Sequence, residues 1–186
     1  MKMRIISGEF KGRLISVPDS KFIRPMTDRV RETLFNLLSN KIDFKEIKVL
    51  DIYSGSGSLG IECASRGASE VHFVEKNFPI YKNLLQNIDS LGIGKKSVVH
   101  KMEALKFVNS FSDMNFNLIL ADPPFFKDDI YEATKNILSN NILSKNGFMI
   151  VERSIQTKGK DIENFETEPF KIIGDACLYE IRNPHI

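Results

Sequence analysis

The sequence predicts an α/β protein built on a doubly wound, mostly parallel sheet, and three observations predict it. From residue 47 onward, short apolar runs alternate with amphipathic segments, the pattern of strands joined by crossover helices. A glycine loop, Gly55-x-Gly57-x-x-Gly60, follows the first of these runs, and an acid, Glu75, closes the next run twenty residues after Gly55. Residues 170–182 hold two strand-like runs around Gly174 and Asp175 with no room for a crossover helix, so this last pair is antiparallel.

Taken in order, residues 3–7 and 12–17 read as short strands flanking a turn at Gly8 and Gly12, a hairpin. Pro18, Asp19 and Ser20 break that pattern, and Pro25 sets an extended approach to the next element. Thr27 or Asp28 caps a helix whose apolar face is Val30, Leu34, Phe35, Leu37 and Leu38, at spacings of three and four. Residues 47–52 form a strand, 57–65 a helix opened by glycines, 71–75 a second strand, and 79–91 a helix ended by Gly92. Residues 97–100 and 116–121 read as strands, 130–138 as an amphipathic helix and 148–152 as a buried strand.

Length and composition fit one domain with a small appendage: 186 residues, 42% apolar and 27% charged, values that disfavour disorder. No apolar run approaches the ~20 residues of a membrane span. The start, Met1-Lys2-Met3-Arg4, runs straight into a strand pattern, so no signal peptide is expected and the expected location is cytoplasmic. Cys63 and Cys177 fit neither a zinc spacing nor a disulfide framework; they are expected to be buried thiols, and no metal is expected. The net charge of +2 is unevenly divided. Residues 1–31 hold eight basic side chains against three acidic ones, a balance of +5, and the rest carries −3. Charge alone leaves two readings open, a polyanion-binding arm or a solvated surface hairpin.

Glycines let a backbone approach a ligand closely, and a strand-end carboxylate such as Glu75 can accept bonds from two ribose hydroxyls. This motif serves a dinucleotide oxidoreductase as readily as a methyltransferase. Asp51 helps to choose, because a pyrophosphate at the loop would set negative charge beside this carboxylate. S-adenosylmethionine has no phosphate and brings a sulfonium and an ammonium, which an acidic pocket favours. The competing reading has Asp51 only bonding backbone amides of the turn. Glu103, after the third strand, converges with Asp51 and Glu75 at the carboxyl ends of the sheet, or else lies on exposed surface.

Asp122-Pro123-Pro124-Phe125 is the sharpest feature of the chain: a buried run ends on an acid, two prolines and an aromatic. The prolines lack N–H donors and have fixed φ, so the loop is stiff and leaves the sheet. The Asp122 carboxylate and the Pro123 carbonyl could accept the two N–H bonds of an exocyclic amine while Phe125 stacks on the base. An aryl amine's lone pair is delocalised into the ring; two acceptors drawing its protons toward tetrahedral directions would localise it toward a methyl sulfonium.

On these segments the chain resembles a known family. Residues 3–8, 11–13, 24–36, 50–67 and 121–125 are similar to the RsmD-type methyltransferases, which methylate N2 of one guanine in bacterial small-subunit (16S) ribosomal RNA. The resemblance covers essentially the whole chain and is most specific in residues 24–36 and in the Ser-Gly-Ser-Gly-Ser-Leu-Gly stretch with Ser65-Arg66-Gly67 downstream. It implies a Rossmann-like class I methyltransferase fold with a seven-stranded sheet, residues 47–186, preceded by an RNA-binding extension, residues 1–46. It implies that Gly55, Gly57 and Glu75 line the cofactor site, with residues 122–125 holding the guanine; Asp51, Tyr53, Ser54, Glu103 and Asp122 are expected to line the cofactor site with them. Arg4, Lys11, Arg13, Arg24, Arg29 and Arg31 would face RNA, and the start of the first helix would edge the cofactor pocket. The expected enzyme is a cytoplasmic monomer that takes S-adenosylmethionine and acts on small-subunit ribosomal RNA within a partly or fully assembled subunit. Tyr53-Ser54 stands where Phe-Ala is commoner, Glu103 where Asp is usual, and the last strand diverges. These departures bear on adenine-side contacts rather than on the reaction.

Three other activities share parts of this pattern. A DNA adenine-N6 methyltransferase uses this motif type but needs extra sequence for target recognition, and only about 46 residues precede the first cofactor-site strand. An NAD-dependent oxidoreductase needs a residue that handles hydride, and His72, His100 and His185 sit in no recognisable motif. A non-catalytic RNA-binding module would be indifferent to loss of Asp122.

Overall fold

The structure, a computed structural model, describes residues 1–18, 26–124 and 127–183. Arg24, Phe125 and His185 lie outside the described residues. β1 (Lys2–Arg4) and β2 (Leu14–Ser16) form the expected hairpin, antiparallel, with Met3 opposite Ile15. α1 (Asp28–Ser39) is capped by Thr27, whose side chain accepts the N–H of Val30. Val30, Leu34, Phe35 and Leu38 are buried along it as the spacing predicts, and so, unexpectedly, is Arg31.

The remainder runs β3 (Lys48–Ile52), α2 (Ser58–Arg66), β4 (Glu70–Val74), α3 (Phe78–Leu91), β5 (Ser97–His100), α4 (Ala104–Ser110), β6 (Phe116–Ala121), α5 (Asp129–Ser139), β7 (Leu143–Ser154), α6 (Lys158–Phe165), β8 (Lys171–Ile173) and β9 (Ala176–Arg182). The seven strands from β3 onward form one sheet in the order β5-β4-β3-β6-β7-β9-β8. β3 to β7 are mutually parallel, and β9 runs antiparallel to both β7 and β8. From β3 the chain winds outward through β4 and β5, then returns to β6 on the other side. This reversal opens a crevice at the strands' carboxyl ends.

Alternate strand residues enter two cores. On one face Val49, Leu118, Leu120 and Ile150 pack with Ile61 of α2 and Leu84 of α3. Met3, Ile5, Phe10, Ile15, Leu34 and Phe35 join the same core, so the hairpin and α1 share the body's interior rather than hanging from it. On the other face Leu50, Ile119 and Val151 pack with Phe107, Ile130 and Phe165.

The sequence reading missed α4 and α6. Both are short, and in α6 only Asp161 and Phe165 are buried, so no apolar periodicity marks it. Asp161 is buried because it holds Arg153 of β7 at 3.0 Å. β7 also begins earlier than expected. Its first residue, Leu143, pairs with Phe116, and the polar, turn-like residues around Gly147 take up a register shift before the regular ladder begins at Leu118 and Phe148. Cys63 and Cys177 are free and buried, as expected. Among the described residues no helix is long and apolar enough to cross a membrane.

Candidate active site

The crevice is a cavity of about 1120 Å³ lined by Asp51, Tyr53, Ser54, Gly55, Glu75, Asp122, Pro123 and Pro124, all expected at the site. They come from the carboxyl ends of β3, β4 and β6 and the loops that follow. Among the described residues no group of acids, histidines and cysteines is spaced to hold a metal ion.

The loop after β3 is shaped for close approach. Tyr53 has φ +64, a left-handed conformation that a bulky side chain adopts at a cost of ~1–3 kcal/mol. Gly55 has φ +53, and a Cβ there would meet nothing within 4 Å. Gly57, also expected at the cofactor, serves a different purpose. A Cβ on it would come within 2.4 Å of Leu84, so it lets α2 begin tight against α3, and it is absent from the cavity wall.

Asp51 is 1% exposed, and its Oδ2 accepts the N–H of Gly60 at 2.8 Å. It therefore does both things that the sequence left open, tying the loop to α2 and facing the cavity. Burial, with the charges of Asp122 and Glu75, pushes it up to about 8 against the opposing Gly60 bond. Glu75 accepts the N–H of Gly55 at 3.1 Å on one oxygen and that of Asn77 at 2.7 Å on the other. Burial holds it above the usual carboxylate range all the same. Asp122 is walled in by protein yet open toward the cavity, and desolvation raises it to about 7 while Arg153 opposes. These three carboxylates share the cavity with those of Glu152 and Asp175, and each of the three is costly to ionise there and relieved by a cationic or N–H-donating ligand.

Other expected residues fall elsewhere. Glu103 is exposed, 3.4 Å from Lys76, and only its neighbours Met102 and Ala104 reach the cavity. It caps no strand end inward, because the chain has already turned out of the sheet toward α4. Arg29 is exposed and lines the cavity beside Met26, Thr27 and Val30, so the start of α1 does edge the pocket. Arg31 is 1% exposed, bonding the Arg4 carbonyl at 2.7 Å and Asp28 at 2.8 Å. Its guanidinium faces inward, which corrects the expectation that it meets RNA: its place on α1 puts it among the apolar positions. Arg4, Lys11 and Arg13 are exposed on the hairpin; Arg4 bonds the Gly12 carbonyl at 3.1 Å and Arg13 bonds that of Ser90.

Sequence reasoning missed Glu152, at the carboxyl side of β7, and Gly174 and Asp175 in the turn between β8 and β9, all on the cavity wall. A signal for Glu152 was present. It closes an apolar run, residues 148–151, just as Asp51 and Glu75 end theirs.

Comparisons with known proteins agree with this geometry. The family model of conserved hypothetical protein 95 matches residues 3–182. Ribosomal RNA small subunit methyltransferase D of Escherichia coli K12 is 36% identical over 156 residues, 83% of this chain and 76% of the relative. The protein of the same name from Haemophilus influenzae is 35% identical over 153 residues, 81% and 78%. The solved structure of "Putative methyltransferase yhhF" from Escherichia coli superposes with a TM-score of 0.80 at 30% identity, covering 98% of this chain and 99% of that one. The fold is that of the class I methyltransferases, and with a family model spanning nearly its whole length the chain belongs to that family, the RsmD-type methyltransferases.

Proposed function

We propose that the protein transfers a methyl group from S-adenosylmethionine to the exocyclic N2 of a guanine in small-subunit ribosomal RNA. One observation carries the reading: the carboxylates of Asp51, Glu75 and Asp122 meet in one cavity with the stiff Pro123-Pro124 turn. The relatives' names supply the RNA class.

The residues fit the cofactor. A cavity of about 1120 Å³ has room for a nucleoside cofactor and a flipped base together. Its raised carboxylates favour a cation, which would stabilise their ionised forms. S-adenosylmethionine supplies an electrophilic methyl, whose S–C bond breaks as the N–C bond forms, leaving S-adenosylhomocysteine. Glu75 stands where ribose hydroxyls can donate to its remaining lone pairs. Asp122 and the Pro123 carbonyl accept the two amine N–H bonds and aim the nitrogen lone pair, so most of the acceleration is positional. Asp122, raised to about 7, then takes the proton released from nitrogen and passes it to water. The hairpin cations and Arg29 hold the RNA backbone, residues 1–46 serving as the RNA-facing part and 47–186 as the catalytic part. The enzyme works as a cytoplasmic monomer on a partly or fully assembled subunit.

The test is product analysis. Small subunits lacking the modification, incubated with the protein and S-adenosylmethionine and digested to nucleosides, should yield N2-methylguanosine by mass spectrometry. N6-methyladenosine instead would discard the guanine assignment, and the absence of any methylated nucleoside would overturn the reading.

A further inference from the structure

Glu152 occupies a position that the transfer itself does not use. β6 and β7 are parallel neighbours in register, with Leu120 opposite Ile150 and Ala121 opposite Val151. Asp122 directly follows the end of β6, and Glu152 is the next residue of β7. Leu118 and Leu120 of β6 and Phe148 and Ile150 of β7 all enter the core on the α2 and α3 face of the sheet. The two-residue period then puts Asp122 and Glu152 on that same face, side by side on strands ~4.8 Å apart. Both line the cavity, and Glu152 is only 8% exposed.

A second carboxylate beside the one that holds the reacting amine has a specific chemical use. The Watson–Crick edge of guanine presents two adjacent donors, the N2 amine and N1–H. Adenine and cytosine present an amine beside a ring nitrogen that carries a lone pair. With N2 held by Asp122 and the Pro123 carbonyl, a base turned with its Watson–Crick edge toward β7 would bring N1 to Glu152, which lines the same cavity. A carboxylate there accepts N1–H from guanine and opposes a lone pair from any base lacking that proton. A site built to bond a substrate N–H rejects the analogue that sets a lone pair against the same acceptor.

We infer that Glu152 is the specificity residue of this site, reading N1–H of the target base and so selecting guanine. The inference rests on the guanine-N2 reading above. The test compares small subunits reconstituted with guanine or with 2-aminopurine at the modified position. 2-Aminopurine keeps the N2 amine but carries a lone pair at N1. The wild-type protein should methylate guanine with a kcat/KM at least ~100-fold above that for 2-aminopurine. Glu152→Gln, nearly isosteric, should lose roughly 10- to 100-fold on guanine and little or nothing on 2-aminopurine, so the ratio collapses. A variant that merely disturbed the fold would slow both substrates alike and leave the ratio unchanged, which would overturn the inference. Equal use of both bases by the wild-type protein would overturn it as well, whatever the variant does. Failure of the wild-type protein to methylate guanine at all would instead sink the underlying functional reading.

Discussion

The buried carboxylate of Glu62, in the middle of α2, accepts the backbone N–H of Ser7 at 3.0 Å and, on its other oxygen, that of Ile6 at 2.8 Å. One turn further along, the Ser65 hydroxyl accepts the N–H of Phe10 at 3.0 Å and donates to the Ser7 carbonyl at 2.6 Å. The hairpin that carries the cations is thereby fastened to the helix that follows the glycine loop. Arg66 completes the arrangement by pairing with Glu62 at 2.8 Å.

Removing this carboxylate leaves two backbone donors and a guanidinium without their acceptor. Glu62→Ala is expected to lose about 3–5 kcal/mol of stability. Denaturant unfolding followed by circular dichroism measures it, and a loss below about 1 kcal/mol would show that the hairpin is not held this way.

Gly8 sits over the end of α2 with φ +83, and a Cβ there would lie 1.9 Å from the Ser65 carbonyl oxygen. Gly8→Ala should cost about 3 kcal/mol, since both the left-handed backbone and the backbone contact forbid it. Gly55→Ala meets no atom within 4 Å and should cost only about 1 kcal/mol, from its φ of +53. Comparable losses for the two variants would contradict the packing described.

The exposed cations of the hairpin and the buried arginine of α1 should separate in a salt titration. Lys11→Ala or Arg4→Ala should lower the slope of log affinity against log salt for ribosomal RNA by about 0.7–0.9 each. Arg31→Ala should instead lower the melting temperature and leave the slope alone, because its side chain is 1% exposed. An unchanged slope for both hairpin variants would remove the hairpin from the RNA interface.

Asp122 should matter for turnover and little for RNA affinity. Asp122→Ala is expected to lower kcat by about 10²–10⁴-fold. Asp122→Asn keeps one acceptor for the amine and should retain more activity. Only the ionised carboxylate both accepts its amine N–H and takes the released proton, so wild-type single-turnover rates should rise with pH toward a plateau above about 7. In Asp122→Asn that rise should flatten.

Asp51 gives the unliganded protein a pH signature. Its value rises from 3.8 in the unfolded chain to about 8 in the fold, so across that window the folded state holds a proton that the unfolded state has lost. Stability contributed by this group is present below the lower value and is lost as pH rises through the upper one, with a slope of at most about 1.4 kcal/mol per pH unit. Asp51→Asn should flatten the fall in melting temperature over that range. A cationic ligand favours the ionised form, so S-adenosylmethionine binding should release protons near neutral pH, detectable by calorimetry in buffers of different ionisation enthalpy. Proton release equal in wild-type and Asp51→Asn proteins would assign it to Asp122 or Glu75 instead.

What the sequence by itself determined is what local chemistry determines. Apolar runs ending on Asp51 and Glu75, the glycine loop between them and the Asp122-Pro-Pro turn are written in contiguous residues, and strand–helix alternation brings their carboxyl ends together. The antiparallel end follows from a connection too short for a crossover. Tertiary structure decided the rest, because it depends on which residues from distant segments meet. Gly57 looks like a ligand contact in the loop motif, yet Leu84, on another helix, claims the space beside it. Arg31 looks like an RNA contact within a basic segment, yet its position on α1 turns it toward Arg4 and Asp28. Glu103 looks like another strand-end acid, yet the chain leaves the sheet before reaching it. Glu152 closes an apolar run as Asp51 and Glu75 do, but only the register of β6 on β7 sets it beside Asp122. Residues far apart in the chain become one site because strand pairing fixes their neighbours, and pairing is a property of the folded sheet rather than of either strand alone.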